Sequence, residues 1–252
     1  MRIGSAFGLL CRRRIFEKGG RRMFGKTNRP TASAVIAAAG LSSRMGSNKL
    51  HADLGGAPVL CRTLEAFERC HAIDEIILCA REDEIPILLS SVKAWHITKL
   101  KTIVAGGKTR QESVLRGVEA VSAEMDLLCI HDGARPFVTP SLIERVLDAA
   151  ARYGAATAAV RVKNTIKQAD DSGFIAATPD RSTLWEAQTP QCFRAALYRE
   201  AVKTAPPDCT DDCRIIEAAG GKVRLVEGDG RNIKLTTPED LLTAQIFWET
   251  GE

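Results

Sequence analysis

No apolar run in this 252-residue chain approaches the roughly 18 residues that a membrane span requires. That excludes an integral helical membrane protein. The eight cysteines contain no CxxC pair, and Cys209 and Cys213 have no neighbouring histidines to complete a zinc site. Cys61, Cys70, Cys79 and Cys129 sit inside apolar patterns, where cysteine acts as a small buried hydrophobe, so the thiols read as reduced in a cytoplasm-like compartment. A GK[ST] triplet is missing after the first glycine loop, which excludes a Walker A nucleotide site. After residue 33 there is no Pro/Gly/Ser-rich linker, and residues 31–252 read as one domain. The body of the chain also lacks positive charge. Residues 1 to 22 hold seven Arg or Lys and one Glu, and taking that +6 from the overall +4 leaves −2. A nucleic-acid surface needs a basic face on the folded domain, so no nucleic-acid partner is expected.

The basic segment over residues 1–30 is not ordered as a secretory signal, because its charges follow its short apolar patch. An Arg-rich transit peptide and a basic tail are alternatives, but it reads best as an unfolded leader, with Met23 as an alternative start. Beyond it, compact apolar runs alternate with helical periodicity. "SAVIAAAG", "DEIILCA", "LKTIVAGG", "DLLCIHDG" and "GAATAAVRV" read as strands. Leu60, Leu64 and Phe67 share one helical face, as do Val114, Val118 and Val121, and Leu142, Val146 and Leu147. Ser141 with Glu144 reads as a capping box, and Thr237 as the N-cap of a last helix with Pro238 in its first turn. This order predicts an α/β fold: a Rossmann-like three-layer domain with a mostly parallel central sheet. Residues 163–183 break the alternation and read as a hairpin around Asp170-Asp171-Ser172-Gly173, either capping the sheet or projecting from it.

In open α/β sheets, ligands bind beyond the carboxyl ends of the strands, and the polar clusters of this chain fall there. Gly40, Ser42, Ser43, Arg44 and Lys49 follow the first strand. Asp132 and Arg135 end the fourth, and Lys234 is expected on a short strand before the last helix. Small residues let backbone N–H groups approach phosphates, the cations neutralise charge, and Asp132 is a carboxylate for a divalent metal. Phosphoryl and nucleotidyl transfer need positioning and charge stabilisation rather than a nucleophilic side chain. Taken singly, Asp132 is as readily a strand-end cap, Lys234 a solvated residue, and His131 a structural histidine. Their co-location is what points to polyphosphate chemistry.

The string "VIAAAGLSSRMGSNKL" resembles the signature loop of the sugar-nucleotidyltransferase-like superfamily. Five later strings, "GGKTRQESVLRGV", "HDGARPFV", "LWEAQTPQCF", "CTDD" and "GDGRNIKLTTPEDL", resemble the 2-C-methyl-D-erythritol 4-phosphate cytidylyltransferase family of the non-mevalonate isoprenoid pathway. The resemblance spans about residues 33 to 249, in the family's order. It implies a cytoplasmic homodimer in which the hairpin projects as an arm, and a reaction of CTP with a polyol phosphate in the presence of Mg²⁺. Arg44, Lys49 and Lys234 would be the catalytic cations. The backbone of Ala38, Ala39, Gly40 and Gly107, with the Ser113 hydroxyl, would hold the nucleotide. Asp132, as metal and acceptor ligand, would be joined at the polyol phosphate by Arg135, Thr165, Arg181, Thr189, Thr210 and Asp211.

Five positions depart from the family's pattern. Asn48-Lys49-Leu50 replaces Pro-Lys-Gln, Lys108 and Arg231 stand where acids are frequent, and Asn164 replaces an aspartate. Three other functions share parts of this pattern. A ribitol 5-phosphate cytidylyltransferase differs only in acceptor contacts. A molybdopterin cytidylyl- or guanylyltransferase shares the first loop but not "HDGARPF" or "NIKLTTPEDL". A non-catalytic nucleotide-binding module would use the same crevice as a sensor.

Overall fold

A computed structural model describes residues 29–40, 49–207 and 209–251. The expected leader up to residue 28, and with it Met23, lies outside the described residues, as do Ser42, Ser43 and Arg44. Seven strands form one sheet: β1 (Ala32–Ala37), β2 (Glu75–Ala80), β3 (Leu100–Ala105), β4 (Leu127–Asp132), β5 (Ala155–Arg161), β8 (Trp185–Arg194) and β9 (Arg224–Glu227). Their spatial order is β3-β2-β1-β4-β8-β5-β9. All neighbours run parallel except β8, which is antiparallel to both β4 and β5. The five apolar runs read from sequence are strands β1 to β5, which all run in one direction. Strands covered on both faces carry continuous apolar runs rather than alternation, and every residue of β2 and β4 is buried.

Helices cover both faces. On one side α1 (Val59–Arg69), α2 (Ile85–Ala94) and α4 (Pro140–Tyr153) bury Leu60, Leu64, Phe67, Leu88, Leu142, Val146 and Leu147 against Ile36, Ile76 and Leu78. On the other, α3 (Arg110–Glu119), α5 (Ala195–Val202) and α6 (Asp212–Ala218) bury Val114, Val118, Tyr198, Ile215 and Ile216 against Val35, Ile77 and Ile130. Gly117 allows α3 to lie this close, because a Cβ there would meet Cys79 Sγ at 2.5 Å and Val35 Cγ1 at 2.6 Å. The last helix, α7 (Pro238–Thr250), seats Ala244 on Leu54, Val59 and Leu235. Among the described residues no helix is long and apolar enough to cross a membrane.

Three local expectations need correction. The cap of α4 is Thr139, whose hydroxyl accepts from the Leu142 N–H, with Pro140 following it; Ser141 lies inside the first turn. Proline at the first helical position has no N–H to satisfy, so the helix begins there rather than at the serine. Val121 is buried, but α3 ends at Glu119. The cap of α7 forms as read, with Thr237 and Asp240 bonding reciprocally. The hairpin is shorter than the span 163–183. Its strands are β6 (Gln168–Ala169) and β7 (Ile175–Ala177), paired only with each other across a turn closed by Gly173 N–H to Asp170 O at 3.0 Å.

The seven described cysteines are free, and all except Cys209 are buried. Burial pushes the Cys61 thiol up to about 12, with the nearby Glu65 carboxylate adding to it, and burial pushes Cys70 up to about 11. Such thiols are inert near neutrality.

Glu75, at the start of β2, supplies a pH test of the sheet. Burial alone would raise its carboxyl, but hydrogen bonds from the Ser122 hydroxyl and N–H outweigh that and hold it below the ordinary value. Lys101 Nζ lies 3.4 Å away and acts in the same direction. A carboxyl lowered by folding contributes stability above its unfolded value and loses it as pH falls through the folded one. Glu75→Gln therefore lowers the melting temperature at pH 7, by about 1–3 kcal/mol of stability. The gap to wild type narrows as the pH drops below about 4. Thermal melts at pH 7 and pH 3 check this, and a gap independent of pH would refute it.

Candidate active site

Strand order reverses between β1 and β4, since β2 and β3 lie to one side of β1 and the later strands to the other. Loops leaving the carboxyl ends of adjacent strands diverge at such a point and leave a crevice. A cavity of about 530 Å³ occupies it here. Ala37 to Gly40 after β1, Arg81 to Asp83 after β2, and Gly106 to Arg110 after β3 line it, with Lys49, Leu50, Ser113, Asp132, Ala134 and Lys234.

Small residues bring two of these loops into contact. A Cβ on Gly106 would sit 2.2 Å from the Ala39 Cβ, so only glycine lets the β1 and β3 loops approach. The Gly107 N–H donates to Ser113 Oγ at 3.0 Å, and that hydroxyl donates to Thr109 O at 2.8 Å. Lys49 stands in a short 3-10 turn, Lys49–His51, anchored by the buried Leu50. Lys234 is not on a strand. It lies in an extended loop between β9 and α7, pinned on one side by Leu235 N–H to Ala134 O at 2.9 Å. On the other side the buried Asn232 donates to Thr189 O at 2.7 Å. The loop satisfies its backbone through these contacts instead of a sheet ladder, which is why strand patterning misread it.

Asp132 is the electrostatic centre. Its Oδ1 accepts from Arg110 Nε at 2.9 Å, its Oδ2 lies 2.8 Å from Lys234 Nζ, and Arg135 Nε is 3.8 Å from the same oxygen. Burial would raise this carboxyl, but Arg110 and Lys234 outweigh it and hold it well below the carboxylate range. Arg110 reaches on to Asp212, with Nη1 2.7 Å from Oδ2. Burial works against the Arg110 charge, yet Asp212 and Asp132 together raise its proton affinity above that of a free arginine. Three cations surround Asp132, and among the described lining residues Lys49, Arg81, Lys108, Arg110 and Lys234 outnumber Glu82, Asp83 and Asp132, which suits the cavity to a polyphosphate.

The structure gathers Ala38, Ala39, Gly40, Lys49, Gly107, Ser113, Asp132 and Lys234 at one cavity. Arg135 stands behind it, donating to Asn232 O at 2.6 Å. Thr189 is buried beneath Asp132, accepting its N–H at 3.2 Å while bonding His131 Nδ1 at 2.9 Å. His131 is fully buried, also bonded to Arg135 O, and burial pushes it down to about 3 despite the neighbouring Asp132. It is a neutral structural ring at every physiological pH. Asp211 caps α6 through the Arg214 N–H at 3.0 Å, and Thr210 beside it is exposed. Thr165 and Arg181 are exposed on the hairpin segment and do not reach the cavity of their own chain. Arg181 opens a 3-10 turn beyond β7 and donates to Lys163 O at 2.8 Å.

Of the departing positions, Lys108 lines the cavity, whereas Arg231 lies over the rings of Phe137 and Phe247. Sequence reasoning missed Arg110 and Asp212. One signal was available: Arg110 follows the N-cap Thr109, where the helix dipole disfavours a cation, so a local anion had to be holding it.

The family model described as IspD, 2-C-methyl-D-erythritol 4-phosphate cytidylyltransferase, matches residues 32–250. A protein of that name from Geobacter metallireducens is 46% identical over 223 residues, covering 85% of this chain and 96% of its own. One from Syntrophotalea carbinolica is 47% identical over 223 residues, covering 86% and 95%. Among solved structures, 4-diphosphocytidyl-2C-methyl-D-erythritol synthase from Anaerococcus prevotii superposes with a TM-score of 0.79 at 32% identity, covering 87% of this chain and 99% of its own. The Thermus thermophilus cytidylyltransferase gives 0.72 at 34% identity, covering 86% and 98%.

Proposed function

The chain belongs to the 2-C-methyl-D-erythritol 4-phosphate cytidylyltransferase family, and from that premise we infer how its cavity carries out the reaction. The enzyme transfers a cytidylyl group from CTP to 2-C-methyl-D-erythritol 4-phosphate, a step of isoprenoid biosynthesis. An oxygen of the acceptor phosphate bonds to the α-phosphorus of CTP. The bond from that phosphorus to the β-phosphate oxygen breaks, and pyrophosphate leaves with the electron pair. The attacking oxygen is already ionised at neutral pH, so no general base is needed, in keeping with His131 being buried and neutral.

In our reading, the backbone of Ala38, Ala39, Gly40 and Gly107 with Ser113 holds the nucleotide. Lys49 and Lys234, with Arg44 by family resemblance, stabilise the charge that builds on the α-phosphate. Asp132, Arg135, Thr189, Thr210 and Asp211 form the acceptor side, and residues 31–252 act as one catalytic domain. The observation that carries this reading is the meeting of Lys49, Asp132 and Lys234 at the strand switch point. Pyrophosphate release, screened with four nucleotides against several polyol phosphates, tests it. CTP with methylerythritol phosphate is the expected pair; preferential use of ribitol 5-phosphate, or no release from any pair, would overturn it.

Among the described residues, no group of three or more His, Cys, Asp or Glu side chains could cage a metal ion. The donor set instead fits a divalent ion that brings phosphate oxygens as ligands, as Mg²⁺ commonly does, with Asp132 as the protein carboxylate. When bound, such an ion supplies charge neutralisation on the phosphates. Chelator should abolish turnover, and Asp132→Asn should shift the metal dependence more than the CTP preference. A rate unchanged by chelator would remove Asp132 from the metal.

The hairpin supports a homodimer. Phe174, Ile175 and Ile166 are exposed on it, by 72%, 65% and 40%, and a two-stranded ribbon is marginal without a partner surface. A twofold axis would bury both arms reciprocally and bring Arg181 and Thr165 to the partner's acceptor phosphate. Mixing inactive Arg181→Ala with inactive Lys234→Ala should then restore about a quarter of the wild-type activity, since half the dimers are hybrids with one repaired site. No complementation after verified subunit exchange would reject the shared site. The free thiols of the described cysteines favour a cytoplasmic setting.

A further inference from the structure

Asp212 takes no part in lining the cavity, yet it is 1% exposed and carries two strong donors. Arg110 Nη1 reaches its Oδ2 at 2.7 Å, and the buried Tyr198 hydroxyl donates to its Oδ1 at 2.7 Å. Its own N–H donates to Gln191 Oε1 at 3.0 Å, and Gln191 Nε2 donates to Asp211 Oδ2 at 3.0 Å. A carboxylate this deep is a poor way merely to hold a helix, because an apolar residue of similar volume usually anchors as well or better. Its charge has a more specific consequence. Arg110 is split between two carboxylates, with Nε on Asp132 and Nη1 on Asp212. Without the second, an arginine fork closes on a single carboxylate in bidentate fashion. Asp132 would then be turned away from Lys234 and from incoming ligands.

We propose that Asp212 is a positioning residue for the transfer reaction: it holds Arg110 to one oxygen of Asp132, leaving the other to Lys234, and so locks the Asp132 carboxylate to the Thr210–Asp211 turn. This rests on the assignment of Asp132, Thr210 and Asp211 to the acceptor side. Through Asp212 the two halves of that side, one ending β4 and one starting α6, form a single rigid unit. Arg110 opens α3 directly after the β3 loop, but the nucleotide contacts assigned to that loop run through the Gly107 N–H and the Ser113 hydroxyl, which bond each other and Thr109 O rather than Arg110.

The test compares Asp212→Asn with Tyr198→Phe in the full-length enzyme, by steady-state pyrophosphate release with each substrate varied. Asp212→Asn keeps the shape and the acceptor for Tyr198 but removes the charge that holds Arg110. It should lower kcat by roughly 10- to 10²-fold and raise KM for the acceptor, leaving KM for CTP within about threefold, as misplacement of one reacting partner does. Tyr198→Phe removes a hydrogen bond to the same carboxylate but leaves the ion pair, and should change each constant by less than about threefold. Asp212→Glu, which restores the charge, should recover part of the lost turnover. The proposal fails if Asp212→Asn keeps wild-type constants, if it raises KM for both substrates equally, or if Tyr198→Phe matches it. It also fails if the entire loss follows the fraction of folded protein in a thermal melt. Wild-type enzyme inactive with CTP and methylerythritol phosphate would instead overturn the functional reading on which the proposal rests.

Discussion

Replacing Lys234 by alanine lowers kcat/KM by about 10²- to 10³-fold, the usual loss when one preorganised charge contact to a transition state is removed. Lys49→Ala, at another lining residue of the same cavity, is expected to do the same. The fold should tolerate both changes. The Lys234 side chain is 37% exposed, and its loop is pinned by contacts of Asn232 and Leu235 that do not involve the ammonium. Asp132 would still keep Arg110 at 2.9 Å, so no buried carboxylate is stranded. Melting temperatures should therefore stay close to wild type while pyrophosphate release collapses. If each variant retains turnover within about threefold of wild type, these lysines do not stabilise the reacting phosphate.

Arg110→Met should fail in a different way, through stability as well as rate. Removing one member of a buried ion pair typically costs about 3–5 kcal/mol, because the other charge is left without its partner. Here Asp212 is that stranded charge, at 1% exposure, with only the Tyr198 hydroxyl left on its carboxylate among the described residues. At roughly 2–4 °C per kcal/mol for a chain of this size, the melting temperature should fall by about 6–20 °C. The double variant Arg110→Met with Asp212→Asn removes the stranded charge while keeping an acceptor for Tyr198. It should recover at least half of the lost stability and none of the turnover. Scanning calorimetry with paired rate measurements decides. A single variant as stable as wild type, or a double variant no better than the single, would show that this ion pair is not a buried electrostatic unit.

The contrast between the lysines and Arg110 also marks how far the site was legible. Lys49, Asp132 and Lys234 stand at the ends of recognisable segments, so their residue types and positions suggested the crevice directly. Arg110 sits inside a string that had been singled out, but its partners lie 22 and 102 residues away in sequence. No local pattern encodes that pairing. His131 adjoins Asp132 in sequence while Thr189 lies 58 residues away, and only their burial and mutual hydrogen bond mark them together as the floor of the site. Thr165 and Arg181 lie on the hairpin, where a single chain offers them no cavity to face, so their assignment still rests on family resemblance and a second subunit.

Strand and helix identity came through because both follow from contiguous patterning. Five apolar runs became five strands, and the reciprocal cap of α7 formed from residues three apart. The mistakes were also local in kind: a capping box at Ser141 where proline moved the start to Thr139, and a strand at Lys234 where tertiary contacts replaced a ladder. By itself, the sequence determined the α/β class, the positions of the strand ends and two of the cations, Lys49 and Lys234, that line the cavity. The tertiary structure decided the strand order β3-β2-β1-β4-β8-β5-β9, and with it the reversal between β1 and β4 that opens the cavity. It also decided which carboxylate each cation meets. Charge pairing depends on distance in space, and in this chain only the closing of the sheet brings Arg110, Asp132, Asp212 and Lys234 within a few ångströms of their partners.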